Sequence, residues 1–122
     1  MSNLSNFSRI RSSNPPAGEE GWVWVMLSGT KRQCGGGTQA ELFLDDEGID
    51  TVDDQGIAEG DGVHDAYIAR DEISGKTYVD TLGNKHHIDG DAVSDRLRLR
   101  VAGAKPLTPE EAISLPDGPD IT

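Results

Sequence analysis

The side chains able to do chemistry are few and scattered. The chain holds one cysteine, Cys34, and three histidines, His64, His86 and His87. A thiol attacks as its thiolate, and Lys31 and Arg32 stand close enough in sequence to favour that form. Covalent catalysis also needs a base within hydrogen-bond reach, and none lies near in sequence. Beside Gly35, Gly36 and Gly37, the cysteine reads as a loop residue. The Gly35-Gly36-Gly37-Thr38 run lacks the Gly-Lys-Ser/Thr ending and the following helix of a phosphate-binding loop, so a flexible hairpin tip is expected there. His86 and His87 are neighbours, and neighbouring side chains on a strand point to opposite faces. They do not chelate one ion together, and a site built from His64, one of them and Asp89 would have to be assembled by folding.

Oxygen-rich stretches raise the question of calcium. Asp45-Asp46-Glu47-Gly48-Ile49-Asp50, Asp61-Gly62-Val63-His64-Asp65 and Asp89-Gly90-Asp91 all carry clustered carboxylates. An EF-hand loop needs oxygen ligands at positions one, three and five, glycine at six and glutamate at twelve. Counting from Asp61 places Glu72 at twelve, but Val63 and Ala66 occupy three and six. Counting from Asp89 places Arg100 at twelve. These stretches are expected to be solvated turns, with no metal or cofactor assigned, although a small oligomeric β binding module with a calcium site stays as an alternative.

Charge is the strongest compositional signal. The chain has 122 residues and a net charge of −11. That argues against binding nucleic acid by phosphate neutralisation and against a polybasic membrane contact. Residues 41–72 hold twelve carboxylates against the single base Arg70. Asp45, Asp46, Asp50, Asp53 and Asp54 are the candidate acidic surface. Residues 96–101 alternate Arg96, Arg98 and Arg100 with Leu97, Leu99 and Val101, as a strand with one core face and one arginine stripe would. Such a stripe repels itself unless carboxylates lie opposite, on a neighbouring subunit or internally at Asp65 or Asp80.

The elements that must position these groups are short strands. The length fits one domain. The fold class expected is all-β, a small barrel or sandwich of about six short strands with an extended N-terminal arm and a short C-terminal helix. Residues 1–20 form the arm, rich in Ser and Asn, with Leu4, Phe7 and Ile10 three apart. Residues 21–104 form the β domain, and 105–122 the helix and a polar tail. The first strand spans 21–28, with Trp22, Trp24 and Met26 on one face and Val23, Val25 and Leu27 on the other. Residues 29–38 form a loop. Further strands fall at 40–44, 49–52, 63–70, 77–81, 85–88 and 96–101, with turns at Ser74-Gly75, Leu82-Gly83-Asn84 and Asp89-Gly90-Asp91. Thr108-Pro109-Glu110-Glu111 is a capping box that starts the helix. No internal repeat is evident, no apolar run approaches a membrane span, and the first residues lack the apolar stretch of a signal peptide.

An acidic β domain flanked by an Asn/Ser-rich arm with Pro15-Pro16 and by a tail punctuated by Pro116 and Pro119 resembles, in organisation, the small structural proteins of tailed-phage virions. That resemblance implies a non-catalytic capsid decoration protein or other head, neck or tail component. It implies partners in a homo-oligomer or a larger protein shell, no direct contact with nucleic acid or membrane, and a virion location after assembly in the host cytoplasm; otherwise the chain is expected to be cytoplasmic. Phe7, Ile10, Trp22, Trp24, Arg96, Arg98 and Arg100 are the candidate assembly residues. The alternative is an acidic nucleic-acid mimic that blocks a basic groove with the carboxylates of residues 41–72.

Overall fold

A computed structural model describes residues 5–64 and 66–122. Leu4 and Asp65, named above, lie outside the described residues. The fold is mostly β, in the all-β class, and the described residues form eight strands in two sheets of four. Strands β1 Arg9–Ser12, β2 Trp24–Leu27, β3 Thr30–Gln33 and β4 Ile49–Val52 form one sheet in the order β3-β2-β1-β4. Strands β5 Tyr67–Asp71, β6 Thr77–Thr81, β7 Asn84–His87 and β8 Lys105–Leu107 form the other, in the order β7-β6-β5-β8. In each sheet the first three strands are an antiparallel meander, and the fourth returns parallel to the first. Helix α1 Gly36–Leu42 lies between β3 and β4, helix α2 Asp91–Leu97 between β7 and β8, and α3 Pro109–Ser114 follows β8. No helix among the described residues is long and apolar enough to cross a membrane.

The two sheets are two copies of one arrangement, an internal repeat that the residues do not reveal. Trp24 pairs with Gln33 as Tyr78 pairs with His87, and Leu27 pairs with Thr30 as Thr81 pairs with Asn84, an offset of 54 positions from 24 to 78. Both hairpins turn through a non-glycine and a glycine at positive φ, Ser28-Gly29 and Leu82-Gly83. Beyond each fourth strand the chain returns beside the third. Lys31 bridges Glu59 and Cys34 bridges Val63; Lys85 bridges Asp117 and Ile88 bridges Ile121. Even the cation–π contacts repeat, with Lys31 over Trp24 at 4.4 Å and Lys85 over Tyr78 at 5.7 Å. The copies meet at residues 42–44 and 98–100. There the Leu44 N–H donates to the Arg98 carbonyl and the Arg100 N–H to the Leu42 carbonyl. With Phe43 opposite Leu99, the exchange is reciprocal, as a two-fold relation requires.

One core serves both copies. It joins Phe7, Val25, Cys34, Leu42, Phe43 and Val63 to Ile68, Val79, Ile88, Leu97, Leu99 and Ile121. The opposite face of each sheet carries a smaller cluster, Ile10, Trp24 and Met26 with Val52 in the first and Ala69, Tyr78 and Leu107 in the second. Ile10, Trp24 and Val52 match Ala69, Tyr78 and Leu107, whereas Met26 matches Asp80. Both faces of β2 are therefore covered, as its six-residue apolar run implies, and the covering comes from the chain itself.

Several expectations are corrected here. The 1–20 segment is not an arm in its described part, because β1 is an inner strand between β2 and β4. Phe7 and Ile10 are fully enclosed and Trp24 is 2% exposed, so these three pack inside their own core and not on a neighbour. Trp22 stays at the rim, 36% exposed, tilted against Trp24 at 5.8 Å. Residues 29–38 contain β3 and the start of α1 instead of a loop, and the strand at 40–44 is replaced by the end of α1 at Leu42 and an isolated bridge at Phe43; a short apolar run reads equally well in either period. The 96–101 strand is absent. Leu97 closes α2, whose buried residues are Val93, Ser94 and Leu97, and Arg98 ends it at φ 57. The spacing of Leu97 and Leu99 straddles a helix end. The tail is not merely polar, since Ile121 is wholly buried. The capping box forms as expected, with Thr108 Oγ1 accepting from the Glu111 N–H at 3.1 Å, and β6 falls on 77–81.

The repeat also explains two glycines. A Cβ at Gly118 would lie 2.3 Å from Cε1 of the His86 ring, and one at Gly60 would lie 2.8 Å from Cζ of Arg32. These are matching positions, where the returning chain crosses a side chain of the third strand. His86 is 1% exposed and wedged edge-on against Phe7, so it cannot give way; Arg32 can swing outward. Gly118→Ala is expected to cost about 1–3 kcal/mol in urea unfolding, and Gly60→Ala distinctly less.

Candidate docking surface

The acidic segment is pinned by one buried cation. Arg9 is 3% exposed, lies over the Phe43 ring at 4.1 Å, and donates to the carbonyls of Asp45 and Glu47, each at 2.6 Å. Burial weakens the hold of its guanidinium on the proton, and the nearby charges of Asp45 and Asp46 oppose that effect. These bonds fix residues 45–47 beside the start of β4.

The five candidate aspartates then divide. Asp45 forms a two-pronged ion pair with Arg98, whose hydrogen bond holds the carboxyl below its usual range. Asp54 accepts from Lys31 Nζ at 2.6 Å and from Ser12 Oγ at 2.7 Å, and the lysine bond lowers its pKa most. Among the described residues, Asp46, Asp50 and Asp53 have no cation within ion-pair distance. All three are exposed. The arginines divide likewise. Arg98 turns to Asp45, with Glu47 at 3.6 Å, and Arg96 donates to the Thr122 carbonyl. The side chain of Arg100 is exposed. There is no stripe, and Asp80, offered above as a partner for one, instead accepts from the Tyr67 hydroxyl at 2.6 Å and pushes that phenol up to about 12.

The sequence-level chemical candidates do not converge. Cys34 is 3% exposed, and burial pushes its thiol up to about 11, with the Arg9 charge only partly offsetting. Lys31 and Arg32 are engaged elsewhere, with Asp54 and with the Asp61 carbonyl. The glycine run is the start of a short helix, Gly36–Leu42, with Gly35 as its N-cap, and not a hairpin tip. His86 donates through Nδ1 to the Pro119 carbonyl at 2.9 Å, and its buried Nε2 has no partner among the described residues. His87 faces Tyr78. Among the described residues no three His, Cys, Asp or Glu side chains gather where they could share an ion. A cleft of about 350 Å³ bounded by Trp22, Gln33, Cys34, Gly36 and Gln39 has a counterpart of about 240 Å³ bounded by Lys76, His87, Ile88, Asp91 and Ser94. The residues correspond one to one across the repeat, and neither set brings an activated nucleophile against a base.

What remains is an edge. β4 borders its sheet, and its residues Asp50 and Thr51 are exposed. Sequence reasoning found the strand and the carboxylates. It missed the edge position, which depends on β1 coming from the presumed arm. Comparison with protein-family models, with curated proteins and with solved structures finds no match to the chain.

Two outcomes follow from these contacts. The Cys34 thiol is expected to resist a disulfide reagent in the native protein at neutral pH and to react once urea unfolds it; rapid native labelling would contradict its burial. Asp54 has a folded pKa below its unfolded value, so its contribution is present above pH ~4 and is lost as pH falls through the lower folded value. Asp54→Asn is expected to be less stable at pH 7 and to lose less stability between neutral and acid pH than the wild type, measured by urea titration at each pH.

Proposed function

We propose that this chain is a non-catalytic assembly protein, in the manner of a tailed-phage virion component such as a capsid decoration protein, that attaches to neighbouring subunits through exposed features of a rigid β scaffold. The observation that carries this is the pairing of an unpartnered acidic sheet edge with large apolar side chains left in solvent. Ile73 and Ile113 are 79% and 86% exposed, on the β5–β6 turn and on α3. Together with Trp22 and Leu44 they give partners apolar anchors within a strongly charged surface, the mixture typical of an interface. The unreactive thiol and the separated histidines favour binding over catalysis. Support for the nucleic-acid mimic is thinner, because Arg98 and Lys31 already neutralise Asp45 and Asp54.

The attachment surfaces differ from the arm first expected, because deleting residues 1–18 would remove β1 and unfold the sheet. The test is quantitative mass spectrometry of purified particles from the system that encodes the chain, with a variant carrying Ile73→Asp and Ile113→Asp. The wild type is expected at a fixed copy number per particle, and the variant to fold normally by circular dichroism yet be depleted about tenfold or more. Absence of the wild type from the particles would remove the virion role.

A further inference from the structure

The repeat allows one sheet edge to be compared with its own counterpart. β4 and β8 occupy the same place, each parallel to the first strand of its sheet and each at the border. Ser13 donates its N–H to the Val52 carbonyl at 2.8 Å. In a parallel ladder the N–H and C=O of one residue point to the same side and alternate along the strand. The backbone groups of Val52 and Asp50 therefore face β1, and those of Ile49 and Thr51 face outward. No other backbone bond among the described residues uses them.

In the second sheet the matching edge is closed. Ile10 pairs with Asp50 and Ala69 with Lys105, so Thr51 corresponds to Pro106. Proline stands at the one position between Lys105 and Leu107 whose N–H would point outward, and it has none. Past β8 the capped helix α3 follows, and Leu115 beyond it packs on the cluster holding Leu107. Proline and lysine are the usual guards of an edge strand. β4 has neither. Its side chains at the edge are Asp50 and Thr51, with Asp46 and Glu47 before it and Asp53 after it.

We propose that the open edge of β4 is a docking site that takes a basic, extended segment of another protein as an added strand, its main chain bonding Ile49 and Thr51 and its lysines or arginines meeting Asp46, Asp50 and Asp53. Strand addition draws affinity from main-chain bonds and selectivity from the flanking side chains. A second copy is the wrong occupant, because edge-to-edge pairing would set unpaired carboxylates against each other. Nucleic acid is repelled by the same charges. The inference rests on the assembly reading and names the chemistry of the partner.

The probe is a short synthetic peptide of alternating Lys and Val, with a Glu/Val peptide and a backbone N-methylated Lys/Val peptide as controls, titrated calorimetrically into the full chain. The Lys/Val peptide is expected to bind, to weaken as salt is raised, and to lose about tenfold or more in affinity for Thr51→Pro. That variant transplants the closure that Pro106 already provides, so it is expected to keep the wild-type circular dichroism and urea midpoint. Asp50→Lys, at an exposed side chain, is expected to weaken binding by charge alone. The N-methylated peptide, unable to donate, is expected not to bind, which keeps the test decisive if Thr51→Pro misfolds. Failure of the wild type to bind the Lys/Val peptide, equal binding of any control, or wild-type dimers that Thr51→Pro dissolves would overturn the proposal. Particles that take up Thr51→Pro as well as wild type would retire the edge and leave the virion role. Peptide binding by a chain absent from particles would do the reverse.

Discussion

The pair of backbone bonds between residues 42–44 and 98–100 is the constraint on which the rest depends. Each sheet alone has only one well-covered face, and neither holds enough large side chains to close a core. The reciprocal exchange between Leu44 and Arg98 and between Arg100 and Leu42 sets the two sheets so that Phe43 and Leu99 face each other. Around that point Leu42, Leu97, Val25 and Val79 complete one shared interior. A chain with only 34% apolar residues can fold in this way because each half supplies the lid of the other.

Polar groups are admitted to that interior only with partners or at specific cost. Arg9 is accepted because two carbonyls and the Phe43 ring receive its guanidinium. Its counterpart in the second sheet, Ile68, needs no such arrangement. The arginine thus does something the fold alone does not require. It ties the acidic segment down next to β4, converting a stretch that could be a loose loop into a fixed border. Electrostatics in this chain are therefore local. Asp45 and Asp54 are bound inward, while Asp46, Asp50 and Asp53 face solvent.

How much of this was legible follows from the kind of signal involved. Patterns that depend on neighbours in sequence were readable: the Thr108 capping box, the Ser74-Gly75 turn, β4 and β6, and the two apolar faces of β2. Patterns that depend on partners far away were not. The Ser- and Asn-rich start hides β1, because only Phe7 and Ile10 mark it and their burial requires β2 and β4. The α2 terminus at Arg98 mimics a strand, because Leu97 and Leu99 are both buried by different neighbours. The repeat was invisible because its matching positions conserve size and place more than identity: Trp24 with Tyr78, Cys34 with Ile88, Arg32 with His86, Val63 with Ile121. The acidic surface was legible as a composition, but not its division into bound and free carboxylates, which needed the positions of Arg98 and Lys31.

The chain ends have a bearing of their own. Asn6 donates to the Asp120 carbonyl at 3.1 Å, and Arg96 reaches both Ser5 and Thr122. Val63 of the first copy and Ala66, the counterpart of Phe7, lie in the shared core. Ile121 and Phe7 lie in that same core. The bonds of Asn6 and Arg96 hold the segment before β1 of the first sheet against the segment beyond β8 of the second, so the two copies are tied at a second place besides residues 42–44 and 98–100.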